Sequence, residues 1–170
     1  MPILIDTTVL SNLAVVDRLD LLKLLPDTCY LASAVYEEIQ QGLAEGYEFL
    51  AGVDRILDTG LLLLVTIESE AELQQYRNVP NKLQRGEAMS LAIGRCRGWR
   101  LLTDDRAVRT QAERIGVPCS GTLGLLCLAA RKGAIAIDEG NTLLGEMILR
   151  ARYRSPVNDL RSLLGDELVT

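Results

Sequence analysis

Acidic residues stand at two strand ends and in two helices of this sequence. Asp6 follows the apolar run "PILI", and Asp104 with Asp105 follows "WRLLT". Glu38 lies within "SAVYEEIQQGL", and Glu87 lies near the start of "RGEAMSLAIGRC". Carboxylates held close together repel one another, which raises their pKa values or requires a cation. If these acids meet in space, we expect an oxygen-rich site for Mg²⁺ or Mn²⁺.

A carboxylate site of this kind favours hydrolysis of a phosphodiester. A divalent cation lowers the pKa of bound water, orients it and stabilises the charge that develops on an attacked phosphate. The chain contains no histidine, which excludes Ser-His-Asp triads, Cys-His pairs and histidine-ligated metals. Any catalysis must therefore rest on carboxylates, Ser/Thr, Lys/Arg or Tyr side chains.

Each acid also has a purely structural interpretation. Asp6 and Asp104 are residue types that cap helix N-termini. Glu87 could stabilise only the dipole of its own helix, and Glu38 could be an exposed surface charge. These interpretations do not explain why acids recur at two strand ends and at two helices.

The pattern of the chain predicts an α/β fold with a parallel sheet flanked by helices, because short apolar runs alternate with longer helical patterns. We predict strands at 2–6, 28–32, 61–66, 99–103 and 116–119. We predict helices at 8–15, 17–24, 33–43, 46–57, 69–77, 85–97, 105–115 and 121–132, then helices in the C-terminal extension, the last near 156–165. The carboxyl ends of parallel strands share one edge, where ligands bind. Asp6 and the acids after the fourth strand are therefore expected to meet there.

The helical period places Glu38 toward the protein interior. At about 100° per residue, Val35, Ile39 and Leu43 form the buried face of their helix. Glu37 then projects almost opposite to that face, and Glu38 lies on its flank. Glu38 is therefore the better candidate for an inward-facing acid.

Size and composition indicate one domain. With 170 residues, of which 48% are hydrophobic, the chain suffices for one core. We expect a main domain at 1–135 and a helical extension at 136–170 packed on it. The net charge of -5 argues against nucleic-acid binding by a broad cationic surface, so a polyanion would be bound locally. With no signal-peptide pattern and no apolar run of about 20 residues, we expect a cytoplasmic protein without membrane contact.

Four segments resemble, in order and spacing, the motifs of PIN-domain nucleases, with the VapC-like prokaryotic branch the most similar. They are "LIDTTVLSNLA", "AVYEEI", "GEAMSLAIG" and "LLTDDRAVRTQAERIGVPCSGTLGLLCLAARKGAI". The C-terminal "RARYRSP" is similar to the tail of that branch. The resemblance implies a parallel α/β fold, Mg²⁺- or Mn²⁺-dependent endoribonuclease activity and a role as the toxin of a toxin-antitoxin pair. It makes an antitoxin partner and a homodimer plausible.

The resemblance assigns the catalytic and metal-binding roles to Asp6, Glu38, Glu87 and Asp105, hereafter the acidic quartet. Spacing alone does not separate Asp104 from Asp105, but the family's last acid stands two places after a Thr. The supporting positions fall on Thr7, Thr8, Thr103 and Asp104. Many toxin members carry Asp where Glu87 stands, which leaves the number of metal ions open.

Phosphate contacts would come from basic side chains near the same edge. Arg106 and Arg109 are three residues apart on one helix and so share a face. Lys82 and Arg85 precede Glu87 and are the next candidates. The alternative for each pair is an ordinary solvated surface. We expect these four side chains to bind RNA.

Two other functions remain open. The first is a phospho-aspartyl receiver or phosphatase in which Asp6 accepts phosphate, although Thr7 and Thr8 stand where a second acid would be expected. The second is a catalytically silent module that keeps the fold only to bind other proteins.

Overall fold

The fold is built on a five-stranded sheet with the first strand at its centre. The strands are β1 (Ile3–Ile5), β2 (Cys29–Ala32), β3 (Leu62–Val65), β4 (Arg100–Leu102) and β5 (Cys119–Ser120). They lie in the order β3-β2-β1-β4-β5, and all neighbouring pairs are parallel. This computed structural model describes residues 1–165, and it confirms the predicted parallel α/β architecture.

Helices connect the strands and cover the sheet. The α-helices of residues 1–165 are α1 (Thr7–Val15), α2 (Ser33–Ala44), α3 (Ala51–Asp58), α4 (Glu70–Asn78), α5 (Arg85–Arg97), α6 (Arg106–Ile115), α7 (Thr122–Arg131), α8 (Ile137–Arg150) and α9 (Arg161–Leu164). Two 3₁₀ helices are added at Leu19–Leu24 and Glu48–Leu50. Within this described part of the chain, no helix is both long and apolar enough to cross a membrane.

Two predicted helices begin later than the sequence pattern suggests. The helix predicted at 17–24 is a 3₁₀ helix, and Asp17 has a φ of 53°, outside the right-handed helical region. The helix predicted at 46–57 begins only at Glu48, because Gly46 has a φ of 99°, and it consists of a 3₁₀ helix followed by α3. Both conformations break the backbone pattern that a continuous α-helix requires.

The central strand explains why the sequence opens with an unbroken apolar run. Ile3 and Ile5 lie in the larger apolar cluster, with side chains from α1, α2, α7 and α8. Leu4 lies in a second cluster with side chains from α5 and α6. Successive side chains of a strand point to opposite faces, and both faces of this sheet are covered. A strand buried on both sides is continuously apolar.

The C-terminal helices pack onto the larger cluster. Leu144 and Met147 of α8 are fully buried, as is Leu160 before α9. The helix predicted near 156–165 is reduced to α9, and residues 166–170 of the predicted extension lie outside the described residues. A domain boundary between residues 135 and 136 stays a prediction.

A buried ion pair holds α5 against α4. Arg97 Nε lies 2.5 Å from Glu72 Oε1, and the Glu72 side chain is only 4% exposed. Glu72 Oε2 also accepts hydrogen bonds from the backbone N–H groups of Glu68 and Ser69. The Arg97 guanidinium, helped by these N–H groups, lowers the pKa of Glu72 to about 2. Because α5 also carries Glu87, this pair helps to fix a helix that reaches the site.

Replacement of Glu72 by Gln is expected to destabilise the protein in a pH-dependent manner. The folded-state pKa of about 2 lies below the ordinary value of 4.5, so the charge stabilises the fold above about pH 5, and this contribution is lost as the pH falls toward 2. Glu72→Gln should lower the free energy of unfolding by about 2–3 kcal/mol at neutral pH and by much less near about pH 3. Urea unfolding at both pH values measures the difference.

The matched control for this prediction is Glu70→Gln, an exposed acid in the same helix. It should change the free energy of unfolding by about 0.5 kcal/mol or less. A Glu72→Gln loss that stays the same at both pH values would contradict the assignment to the carboxylate charge.

Candidate active site at the carboxyl edge of the sheet

The acidic quartet gathers where β1 and β4 end. Asp6 directly follows β1, and Asp105 follows β4 by three residues. Glu38 projects from α2, and Glu87 is the third residue of α5. The negative charges of the other three acids all contribute to the raised pKa of Glu87. The structure therefore brings the four predicted side chains to one edge of the sheet.

Asp6 is the buried member of the quartet, with 2% of its surface exposed. Its Oδ2 accepts hydrogen bonds from Thr8 Oγ1 at 2.9 Å and from Thr103 Oγ1 at 2.7 Å. Although Asp6 occupies the N-cap position of α1, its side chain caps none of the N–H groups of that described helix. Burial raises the pKa of Asp6, the hydroxyl groups oppose this rise, and the charge on Glu38 adds to it. Helix capping therefore does not explain this acid.

Glu38 connects the quartet to two other helices. Its Oε1 accepts a hydrogen bond from the backbone N–H of Gly86 at 2.9 Å, and its Oε2 accepts one from Thr7 Oγ1 at 3.2 Å. A Cβ atom added at Gly86 would stand 2.8 Å from Glu38 Oε1. The glycine before Glu87 thus permits the close approach of α5 to this carboxylate.

Glu87 makes a helix-capping hydrogen bond and also has a strongly raised pKa. Its Oε2 accepts a hydrogen bond from the backbone N–H of Gln84 at 2.8 Å, which closes a capping box at the start of α5. Burial raises its pKa to about 7, even though the Gln84 N–H favours the charged form, and the charges of Asp6, Asp105 and Glu38 add to the rise. A structural role at the start of α5 thus explains the contact of one oxygen, but it does not account for the raised pKa.

Asp105 and Asp6 are linked through one buried hydroxyl group. The backbone N–H of Asp105 donates to Thr103 Oγ1 at 3.2 Å, and the same hydroxyl donates to Asp6. Asp105 also caps α6, because its Oδ1 accepts a hydrogen bond from the backbone N–H of Val108 at 2.9 Å. The second oxygen, Oδ2, is left for other ligands within the described structure.

Asp104 faces a different set of partners from Asp105. Its Oδ2 accepts hydrogen bonds from Asn12 Nδ2 at 2.9 Å and from Thr122 Oγ1. Its Oδ1 accepts one from the Thr122 backbone N–H, and its own N–H donates to Thr8 Oγ1 at 3.0 Å. Asn12 and Thr122 are both buried. Asp104 therefore ties α1, the end of β4 and α7 together.

Sequence reasoning missed Asn12 and Thr122. The available signal was weak, namely a single amide within the apolar helix "TVLSNLAV" and a Thr directly after Gly121. A Cβ atom added at Gly121 would overlap Asp104 Oδ1. The network of Asn12, Asp104 and Thr122 thus also requires a glycine.

The four predicted RNA-binding residues are all exposed but have different partners. Arg109 Nη1 donates to the backbone carbonyl of Thr103 at 3.0 Å, which holds it at the end of β4. Arg85 forms a surface ion pair with Glu37 at 3.5 Å. Arg106 lines a cavity beside the quartet, whereas Lys82 lies in the loop before α5. Their role in RNA binding stays a prediction.

The donor chemistry of the quartet fits Mg²⁺ or Mn²⁺, since all donors are carboxylate oxygens. The raised pKa values of Asp6 and Glu87 reflect burial and repulsion that a cation would relieve. Among residues 1–165, however, no three acidic or cysteine side chains are placed closely enough to hold one ion together. Mg²⁺ needs only one or two protein carboxylates because it keeps several waters. The site therefore fits a partly hydrated ion.

Comparison with known proteins agrees with this architecture. Curated proteins give no match to the sequence. Among solved structures, a chain in the crystal structure of VapBC2 from Rickettsia felis, bound to a DNA fragment from their promoter, is similar with a TM-score of 0.52. The sequence identity is 15%, and the match covers 71% of this chain and 98% of that chain. At this identity, the likeness shows a shared fold.

A family model described as PIN domain (DUF3368) matches residues 2–164. This match covers the five strands, the acidic quartet and the helices up to α9. The resemblance to PIN-domain proteins inferred from the sequence motifs is confirmed. The chain belongs to the PIN-domain family.

Proposed function

We propose that this protein is a Mg²⁺- or Mn²⁺-dependent endoribonuclease that hydrolyses RNA phosphodiester bonds at the acidic quartet. The observation that carries the proposal is the meeting of four carboxylates at one sheet edge, with Glu87 in the field of the other three. Membership of the PIN-domain family supports the same class of reaction.

A divalent cation held by the quartet would offset its negative charge, polarise water and stabilise the charge on the attacked phosphate. Asp6 is suited to hold such a cation because Thr8 and Thr103 fix its orientation. Burial raises the pKa of Glu87 to about 7 when no cation is bound, and a bound cation would lower it by favouring the charged carboxylate. Oε1 would be the ligating oxygen, since Oε2 accepts the hydrogen bond from Gln84.

We also infer that a small antitoxin protein binds this chain and that the chain is the toxin of the pair. The support is the fold that it shares with a chain of VapBC2, which was crystallised bound to promoter DNA. The RNA substrate and a homodimer stay predictions.

One observation favours a second candidate, the catalytically silent PIN-fold module. No three acids of the described chain are at ligating distance from a common point, and Glu87 is turned back toward Gln84. A phospho-aspartyl receiver is disfavoured, because Asp6 is 2% exposed and its Oδ2 is already bonded to two hydroxyl groups. The following experiments separate the enzyme from the silent module.

Purified protein freed of any antitoxin should cleave a structured RNA in Mn²⁺ or Mg²⁺ and leave it intact in EDTA. Asp6→Asn should reduce the rate by about 100-fold or more, since even outer partners of metal ligands contribute 10- to 100-fold. The control is Asp58→Asn, which alters an exposed acid on α3 and should cleave at the wild-type rate. Gel electrophoresis of labelled RNA measures both, and intact RNA in every reaction would favour the silent module.

Divalent ions should stabilise the wild-type protein but not Asp6→Asn. An ion present at about 100 times its Kd adds about 2.7 kcal/mol to the free energy of unfolding. In EDTA, Asp6→Asn should unfold at the same temperature as the wild type or higher, because burial raises the pKa of Asp6 and so opposes its charge. Thermal unfolding with and without Mn²⁺ measures both effects. A wild-type protein with no Mn²⁺-dependent shift would contradict the metal assignment.

Asp104→Asn and Asp105→Asn should affect different properties. Asp105→Asn should reduce cleavage by about 100-fold yet change stability little, because Asn is also a good helix cap. Asp104→Asn should lower the free energy of unfolding by about 2–3 kcal/mol, since its new amide would face the donors of Asn12 and Thr122. Paired cleavage and urea-unfolding measurements test this. The reverse pattern would identify Asp104 as the site acid.

A further inference from the structure

The chain after α8 returns to the acidic edge of the sheet. Residues 151–156, hereafter the C-terminal arm, line a cavity of about 790 Å³ together with Thr7, Thr8 and Asp105. A second cavity of about 840 Å³ adjoins the first, and Arg106, Tyr153 and Arg154 line both. Cavities of roughly 300–1,000 Å³ hold drug-sized ligands. The first cavity is continuous with the proposed active site.

Basic side chains are concentrated on this first cavity. Arg106 of α6 lines it from one side, and Arg152 and Arg154 line it from the arm. All three are exposed. Within residues 1–165, none of the three is paired with an acidic side chain. Planar guanidinium groups contact phosphate oxygens in a bidentate manner, so this wall is suited to a phosphate backbone.

The C-terminal arm is held in place by hydrogen bonds and burial. The backbone N–H groups of Ala151 and Tyr153 both donate to the Met147 carbonyl, at 2.9 Å and 3.2 Å. Between them, Arg152 has a φ of 55°, a left-handed conformation that non-glycine residues adopt only when their surroundings impose it. Ser155 Oγ donates to the Val157 carbonyl at 2.6 Å. The arm therefore presents its arginines from a defined backbone.

Tyr153 connects the arm to the site network. Its side chain is half-buried and lies beside the carboxylate of Asp104. Burial, together with the negative charge of Asp104, raises the pKa of Tyr153. The phenol therefore keeps its proton near neutral pH beside a carboxylate that also binds Asn12 and Thr122.

We propose that Arg106, Arg152 and Arg154 form a groove that binds the RNA backbone beside the phosphate being cleaved. The proposal rests on the proposed ribonuclease function and adds the C-terminal arm to its substrate-binding surface. The groove is continuous with Thr7, Thr8 and Asp105. This continuity favours an RNA strand that runs past the quartet rather than a small ligand confined to the cavity. It also explains how a chain with a net charge of -5 binds a polyanion locally.

The experiment compares the double variant Arg152→Ala/Arg154→Ala with the wild-type full-length protein. Fluorescence anisotropy in EDTA measures the Kd for a labelled single-stranded RNA at several salt concentrations. Each phosphate contact contributes about 0.7 to the slope of log K against log salt. The variant should bind about tenfold more weakly near 0.15 M salt, with a slope lower by about 1.4. In Mn²⁺, its KM should rise while kcat stays the same.

The matched control is Arg95→Ala/Arg131→Ala, which removes the same charge from exposed positions. Arg95 lies about 15 Å along α5, and Arg131 about 13 Å along α7, from the helix starts that face the site. The control should bind RNA with the wild-type Kd and salt slope. Thermal unfolding of both double variants should match that of the wild type, because all four side chains are exposed.

The outcomes separate the groove from the ribonuclease function. Wild-type Kd and salt slope in Arg152→Ala/Arg154→Ala, with RNA still cleaved, would overturn the groove alone. An equal loss of affinity in the control would also overturn it, because net charge would then explain binding. RNA that is bound through these arginines but never cleaved would support the groove and reject the nuclease. A wild-type protein that neither binds nor cleaves RNA would reject both.

Discussion

The repulsion among four carboxylates at one sheet edge is the constraint on which the site depends. A parallel sheet directs the ends of β1 and β4 to the same edge, so Asp6 and Asp105 meet although 98 residues separate them. Hydrogen bonds from Thr8, Thr103 and the Gly86 N–H partly compensate the negative charge. Burial nevertheless raises the pKa values of Asp6 and Glu87, and the charges of neighbouring acids add to the rise. A divalent cation would supply the rest.

Features determined by local pattern could be predicted from the sequence. The apolar runs identified the five strands, and the helical period distinguished Glu38, which bonds to Gly86 and Thr7, from the exposed Glu37. Local pattern was insufficient at Asp17, whose left-handed backbone delays the following helix. The assignment of catalytic and metal-binding roles to the quartet stays a prediction, because shared position at an edge does not establish chemistry.

Contacts between distant segments could not be predicted from the sequence. Asp104 and Asp105 are adjacent acids after the same strand, and spacing alone treats them alike. Their difference arises from Asn12, 92 residues away, and from Thr122 on α7, both of which bond to Asp104. The C-terminal arm is a similar case, since only the packing of α8 brings Tyr153 beside that carboxylate. Each depends on tertiary packing that no local periodicity encodes.

Glu87 shows how structural and chemical roles share one side chain. Its Oε2 accepts a hydrogen bond from the Gln84 N–H and so stabilises the start of α5, while burial, aided by three neighbouring charges, raises its pKa to about 7. A cation near the quartet would lower that pKa by favouring the charged carboxylate. The charged form also makes the stronger hydrogen bond to an N–H donor. Cation binding and the capping contact therefore reinforce each other, provided that the ion is bound through Oε1.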